Sequence, residues 1–243
     1  MNPTASGTGV VFAKEVREHL GRGHAKFGLI LLVAMWLFNV AVVGRTISAS
    51  MGRPGMELLL DSLVTHQSLA FFFIATFMIM TALFKQEKLT GALESLMATP
   101  LDLTAIWLGK ALMMWATALA FSFLAVVLAY AELLVMFVRP APPVVPAPPA
   151  IVFFLVVFPA LTFALSLLFG LLQLAFPRSW IGGGINLLLG FGYLALTSAK
   201  MKSMTLTWTS IAAYVAAAAV VLVIVAALKP RLTAERVLAS EGR

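Results

Sequence analysis

The stretch KQEKLTGALESLMATPLDLTAIWLGK, residues 85–110, is the one long polar interruption between the hydrophobic blocks of this sequence. Charged residues make up 11% of the whole chain, and this stretch is far richer in them. They are Lys85, Glu87, Lys88, Glu94, Asp102 and Lys110. The contrast with the apolar flanks indicates a segment in water that connects two segments in a membrane.

The composition is that of an integral membrane protein. Mean hydropathy is +1.00 and 61% of the residues are apolar, whereas soluble domains have about 25% charged residues alone. About 20 apolar residues cross a hydrocarbon core of about 30 Å, and they do so as a helix because lipid cannot satisfy backbone polar groups. Six blocks predict six transmembrane helices, the fifth being the shortest: residues 27–47, 62–84, 103–131, 150–176, 180–196 and 206–228.

These blocks divide the chain into three parts. Residues 27–228 are predicted to form an all-α transmembrane domain, residues 1–26 a cytoplasmic N-terminal segment, and residues 229–243 a cytoplasmic tail. Twelve of the 17 Lys and Arg residues fall on the side of both termini and residues 85–110, and the other five fall on the opposite side. The positive-inside rule places the richer side in the cytoplasm. We therefore expect a multi-pass protein of the inner, cytoplasmic membrane, with no cleaved signal peptide and no nucleic-acid partner.

The N-terminal segment has an amphipathic pattern over residues 10–20. Phe12, Val16 and Leu20 share one face of a helix. The charged side chains are expected on the other face: Lys14, Glu15, Arg17 and Glu18. Such a helix fits the plane of the cytoplasmic interface with its apolar face toward lipid, the alternative being a solvated helix that leads into the membrane. The small and polar residues 1–8 are expected to be mobile.

Residues 87–98 are predicted to form a short cytoplasmic amphipathic helix, because their leucines repeat with helical spacing on one face. The Thr99–Pro100 step ends this helix, since the residue before a proline disfavours the helical region. Asp102 or Thr104 can then cap the third span. A short helix held between two membrane helices is suited to transmit movement from a docked partner. An idle connector is the alternative.

The sequence lacks the motifs of catalysis. It has no H-E-x-x-H and no G-x-S-x-G motif, and it has no cysteine. Its three histidines are divided between the two predicted sides of the membrane. Gly109–Lys110 is not part of a P-loop, because Thr104 replaces the first glycine of that motif and Ala111 replaces its Ser or Thr. We expect no enzymatic activity, no metal and no cofactor in this chain.

Polar residues and prolines inside the hydrophobic region mark further features. Asn39, Asn186 and Tyr193 are candidate pathway-lining residues. The last two lie in the glycine-rich fifth block, which suits either a broken helix beside a cavity or tight packing. Residues 139–150 hold six of the 12 prolines and are expected to form a stiff, extended outer loop, and Pro159 predicts a kink in the fourth span.

The run EKLTGALESLMATPLDLTAIWLGK, residues 87–110, resembles the signature of the ABC-2 family of ABC-transporter permeases. In that family an acidic residue, a Gly, a Leu-Glu-x-Leu and a Thr-Pro precede a Gly-Lys at the start of the third span. The N-terminal KEVRE, residues 14–18, is similar to the amphipathic N-terminal helix of the family. Six spans with cytoplasmic ends fit as well.

The resemblance implies that residues 87–99 form a coupling helix, which docks on a separate ATP-binding subunit that holds ATP and Mg²⁺. The docking residues that it implies are Glu87, Lys88, Gly91, Leu93, Glu94, Ser95, Thr99 and Pro100. It also implies two permease copies in the lipid bilayer, as a homodimer or a related heterodimer, with export, or in some relatives import, through a path between them. Many family members have re-entrant helices between the fifth and sixth spans, but here residues 197–208 leave room only for a short hairpin, unless the fifth block builds one.

Two other function classes stay open on the residues alone. A membrane scaffold or assembly factor would use residues 85–102 to bind a different cytoplasmic protein. An intramembrane enzyme is disfavoured by the missing motifs.

Overall fold

A computed structural model describes residues 3–21, 23–81, 83, 98–138, 145–175, 188, 192 and 206–233. Over this part of the chain the protein is all-helical, without a β-strand. Four helical runs in it are long and apolar enough to cross a membrane: Phe27–Met80, Leu103–Met136, Pro148–Ala175 and Trp208–Leu228. This is the architecture expected of an all-α membrane protein. The predicted fifth span, residues 180–196, lies outside the described residues apart from Leu188 and Gly192.

The helices follow the predicted hydrophobic blocks closely. They are α1 Pro3–Gly21, α2 Gly23–Ser62, α3 Ser68–Met80, α4 Leu103–Leu133, α5 Pro148–Val152, α6 Phe158–Ala175 and α7 Trp208–Leu228. Single π-helical turns occupy Leu63–Gln67, Leu134–Val138 and Phe153–Val157, and a 3₁₀ turn, Lys229–Arg231, follows α7. The third, fourth and sixth predicted blocks correspond to α4, α5 with α6, and α7.

The first long helical run reverses direction at Gly52. Gly52 has φ 59° and ψ −142°, a backbone conformation that side chains with a Cβ rarely adopt. The rings of Trp36 and Phe71 lie edge to face, with their centroids 5.3 Å apart. Met78 likewise contacts Gly28. Each pair joins residues at comparable separations on the two sides of Gly52, so α2 and α3 form an antiparallel hairpin that contains the first two predicted blocks.

α4 is the central helix of the described bundle, since it packs against α1, α2, α3 and α6. Two of its tryptophans donate hydrogen bonds to main-chain carbonyls of α6. Trp107 Nε1 lies 3.1 Å from the Leu167 oxygen, and Trp115 Nε1 lies 3.2 Å from the Pro159 oxygen. Because lipid tails offer no acceptor, these bonds satisfy indole groups that could not be solvated in place.

The distortion predicted at Pro159 is found just before it. The π-helical turn Phe153–Val157 separates α5 from α6. Proline has no N–H to donate, so the carbonyl four residues earlier loses its α-helical partner and the preceding turn adjusts. The Pro159 carbonyl itself accepts hydrogen bonds from Trp115 Nε1 and Thr162 Oγ1.

A polar contact holds the far end of the bundle, where α4 ends. Asp61 Oδ1 accepts a hydrogen bond from the Ala147 N–H at 2.7 Å. Ala147 is the residue before α5 and has an extended backbone, as predicted for the end of the proline-rich loop. On the same side His66 is buried, and its Nδ1 lies 3.5 Å from the hydroxyl of Tyr214 on α7.

Candidate functional site

The described part of the polar stretch begins with a turn. Ala98, Thr99 and Pro100 form a non-helical, exposed turn that leads into α4. The predicted helix of residues 87–98 lies otherwise outside the described residues. The same holds for six of the implied docking residues, Glu87, Lys88, Gly91, Leu93, Glu94 and Ser95.

Asp102 is the N-cap of α4. Its backbone is extended, with φ −66° and ψ 138°, and its Oδ1 accepts a hydrogen bond from the Thr104 N–H at 3.3 Å. Of the two predicted caps, Asp102 is therefore the one used. An N-cap satisfies a backbone donor that the helix start leaves open. The Thr99–Pro100 turn thus passes into a capped helix with only Leu101 between Pro100 and Asp102.

α1 packs against the first turns of α4. Gly7, Val11 and Glu15, spaced four residues apart, form one buried stripe along α1. On α4, a Cβ placed at Gly109 would lie 2.6 Å from the Cβ of Val11, so the two helices approach closely there. We call this contact the α1–α4 junction, made by Gly7, Val11 and Glu15 of α1 with Gly109 and Lys110 of α4.

A buried ion pair lies at the centre of the α1–α4 junction. Lys110 Nζ is 2.6 Å from Glu15 Oε1, and the two side chains are 0% and 3% exposed. A second cation, Lys14, stands 4.0 Å from the same Glu15 oxygen and 3.7 Å from Glu18 Oε1. Charges withdrawn from water are tolerated only when paired. The pair therefore fixes both the rotation of α1 and its position along α4.

Glu15 corrects the predicted faces of α1. Glu15 was expected on the exposed polar face, but it is buried, while Phe12 and Val16 of the predicted apolar face are only half-buried. A prediction from periodicity places every charged residue on the face toward water. Here the pairing of Glu15 with Lys110 on α4 places Glu15 on the buried face instead. From Pro3 onward the N-terminal residues belong to α1, and Gly7 is buried.

A signal for this junction is present in the sequence. Lys110 is a lone cation inside the third hydrophobic block, and Gly109 precedes it. An ionisable residue in an apolar span requires a partner, and small residues mark close helix contacts. What the sequence does not reveal is that the partner lies on α1.

The candidate pathway residues are not brought together by the described residues. Asn39 is exposed on the surface of α2. Asn186 and Tyr193 lie outside the part of the chain that the structure describes.

An open groove of about 380 Å³ runs beside the junction. It is lined by Thr8, Gly9, Phe12, Leu112, Trp115 and Ala116. The lining is largely apolar, and the indole N–H of Trp115 is already bonded to α6. Across the described residues, no group of three or more His, Asp or Glu side chains could hold a metal ion. The groove therefore offers a largely apolar surface beside the junction.

No protein-family model matches this chain, and no curated protein or solved structure is significantly similar to it. The class that its fold defines is an all-α protein with helices long and apolar enough to span a membrane.

Proposed function

We propose that the chain is the membrane-spanning permease subunit of an ATP-binding-cassette transporter of the ABC-2 type, which exports its substrate with energy from ATP hydrolysed by a separate subunit. The likeness of residues 87–110 to the signature of that family supports the proposal. The sequence holds no P-loop of its own. The partner subunit would therefore bind ATP and Mg²⁺ and hydrolyse the ATP.

The α1–α4 junction is the observation that carries this proposal. Gly7, at one end of the junction, lies against Leu101, the residue after Pro100, and the junction joins the two helices through a buried ion pair and a close contact at Gly109. Because α4 is capped at Asp102, only one residue, Leu101, lies between the Thr99–Pro100 turn and the capped start of the helix. Force applied to residues 87–99 would reach α1 and α4 as one body, which is how packed, rigid elements carry movement between sites.

The complete arrangement follows from the proposal. Six spans would place both termini and residues 85–102 in the cytoplasm, in the inner membrane. Two permease copies would enclose the pathway, with Asn186 and Tyr193 as candidate lining residues. The implied docking residues, from Glu87 to Pro100, would meet the ATP-binding subunit.

Charge reversal on the predicted coupling helix tests the proposal. Glu94→Lys should lower recovery of the copurified ATP-binding subunit about tenfold, as loss of an important interface residue does. It should lower the transport-coupled ATPase activity of the complex in parallel. The measurement is affinity purification from membranes followed by an ATPase assay in proteoliposomes. Glu235→Lys is the matched control, because it makes the same change in the predicted cytoplasmic tail and should leave both readouts unchanged.

Two outcomes would refute the proposal. One is substrate movement by the isolated chain without nucleotide or partner. The other is that Glu94→Lys releases a protein with no nucleotide-binding activity, which would favour the scaffold or assembly factor.

A further inference from the structure

One face of α2 carries a heptad pattern and is left largely uncovered by the other described residues. Its residues follow one another at alternating spacings of three and four: Leu32, Met35, Asn39, Val42, Thr46 and Ala49. Leu32 is half-buried and the other five are exposed. Alternating spacings of this kind are how a helix presents a continuous seam to a second helix. We call these six residues the Asn39 seam.

Asn39 lies near the middle of the first predicted span, where lipid tails would surround an uncovered side chain. It forms no hydrogen bond with the described residues, and its neighbours on the seam are apolar, with Met35 64% and Val42 48% exposed. An asparagine amide brings two N–H donors and an acceptor oxygen. Hydrocarbon offers no partner for any of them. Within the described part of the chain, the seam therefore has no helix packed on it and its amide has no partner.

The amide is complementary to a second Asn39 amide, because each can donate to the oxygen of the other. Copies of one membrane protein insert in the same orientation, so a two-fold axis along the membrane normal pairs α2 with its own copy in parallel. Such symmetry brings the two Asn39 residues to the same depth. A single asparagine at the inward position of a parallel two-helix seam sets register and oligomeric state.

The size of the seam fits this arrangement. Residues 32–49 cover about 26 Å of helix, which lies within a hydrocarbon core of about 30 Å. Ala49 and Thr46 at one end are small enough for the two backbones to approach closely.

We propose that a second copy of this chain packs its own α2 in parallel against the Asn39 seam, with the two Asn39 amides hydrogen-bonded to each other. The choice of a second copy as the partner rests on the proposed function, which pairs two permease subunits. The inference goes further because it assigns the contact to α2 and gives Asn39 a role between the copies instead of along the pathway.

Disulfide cross-linking can test the seam directly, because the chain has no cysteine of its own. Met35→Cys places a thiol on the seam. Ala34→Cys is the matched control, since Ala34 is also exposed at nearly the same depth but lies about 100° further round the helix. In proteoliposomes of the purified chain alone, with oxidant added, Met35→Cys should form covalent dimer several-fold faster than Ala34→Cys. Equal rates for the two variants would overturn the inference.

Substitution of the amide supplies the second measurement. Asn39→Leu should weaken self-association, measured by energy transfer between labelled copies diluted in lipid, about tenfold. Asn39→Gln keeps the amide and should retain most of the association. Unchanged association of Asn39→Leu would overturn the inference.

These experiments omit the ATP-binding subunit, so their failure is distinguishable from failure of the proposed function. Seam cross-linking in a chain that binds no ATP-binding subunit would support the dimer and refute the permease. ATP-driven transport by a complex whose Met35→Cys and Ala34→Cys variants cross-link equally would support the permease and refute the seam.

Discussion

At the scale of single residues, the contact between Glu15 and Lys110 stands out among the described residues, because it joins two opposite charges that are both withdrawn from water. Their side chains are 3% and 0% exposed and meet at 2.6 Å. In an ion pair this deeply buried, the attraction between the charges is little larger than the free energy of hydration that both groups lose. Its main effect is therefore on specificity. It discriminates against every rotation of α1 that would separate Glu15 from Lys110.

Removal of one partner should therefore be far more damaging than removal of both. Lys110→Met removes the closer of the two cations beside the buried Glu15 carboxylate, with Lys14 remaining at 4.0 Å, and should lower the free energy of unfolding by about 3–5 kcal/mol. The double variant Glu15→Leu with Lys110→Met should lie within about 1–2 kcal/mol of the native protein, because apolar packing can replace a buried pair. Thermal unfolding in detergent measures both.

Glu18→Gln is the control for the ion-pair variants, because Glu18 lies on the same helix with its side chain 44% exposed. Its loss should change stability by about 0.5 kcal/mol or less. If the double variant were as unstable as Lys110→Met, the Glu15–Lys110 pair would not be one that apolar packing can replace, and its role in specificity would be contradicted.

At the scale of helices, Gly109 allows α1 and α4 to approach each other closely. A Cβ there would stand 2.6 Å from the Val11 Cβ and 3.1 Å from the Thr8 carbonyl oxygen, whereas a Cβ at Gly9 would meet nothing within 4 Å. Both glycines lie in helices, so alanine raises helix propensity equally at the two positions. Only the contact between α1 and α4 differs.

Gly109→Ala should consequently push α1 away from α4 and destabilise the protein by about 1–3 kcal/mol, the usual result of overpacking. Gly9→Ala should be neutral or stabilising by up to about 1 kcal/mol. Melting temperatures of the two variants, with protease accessibility of α1 as a second readout, check this prediction. Equal behaviour of the two variants would mean that the helices are not held in contact at Gly109.

The helices also show what pattern reading can and cannot find. The blocks for α4, α6 and α7 were predicted from hydropathy, because a membrane helix can be recognised from its length and apolarity alone. The six predicted spans imply a reversal between the first two blocks but do not place it at Gly52. The tryptophan bonds from α4 to α6 were not predicted. They depend on which residues of distant segments meet, and no local pattern contains that information.

At the scale of the whole molecule, orientation in the membrane decides whether residues 85–102 can meet a cytoplasmic partner. The excess of Lys and Arg on one side predicts that they can. The proline-rich loop, whose end is tied to Asp61 through Ala147, should then face outward.

Single cysteines in the cysteine-free chain check this topology. Val145→Cys, at a residue that is 63% exposed, should react with a membrane-impermeant maleimide added to the outside of intact cells. Ser95→Cys should react only in inside-out vesicles. Labelling of Ser95→Cys from the outside would place the predicted coupling helix on the wrong side and would refute the proposed function.

The sequence by itself predicted a helical membrane protein, where its hydrophobic blocks lie, and a helix cap at Asp102 or Thr104 just after the Thr99–Pro100 step. These properties depend on local composition and on residues a few positions apart. Only the tertiary structure decided that Asp102 is the cap, that Glu15 is buried against Lys110, that Val11 packs against Gly109, and that the other described residues leave Asn39 exposed. A side chain's environment is set by helices that are distant in the sequence. The identity of a charged or amide residue does not reveal whether its side chain faces water, lipid or a partner.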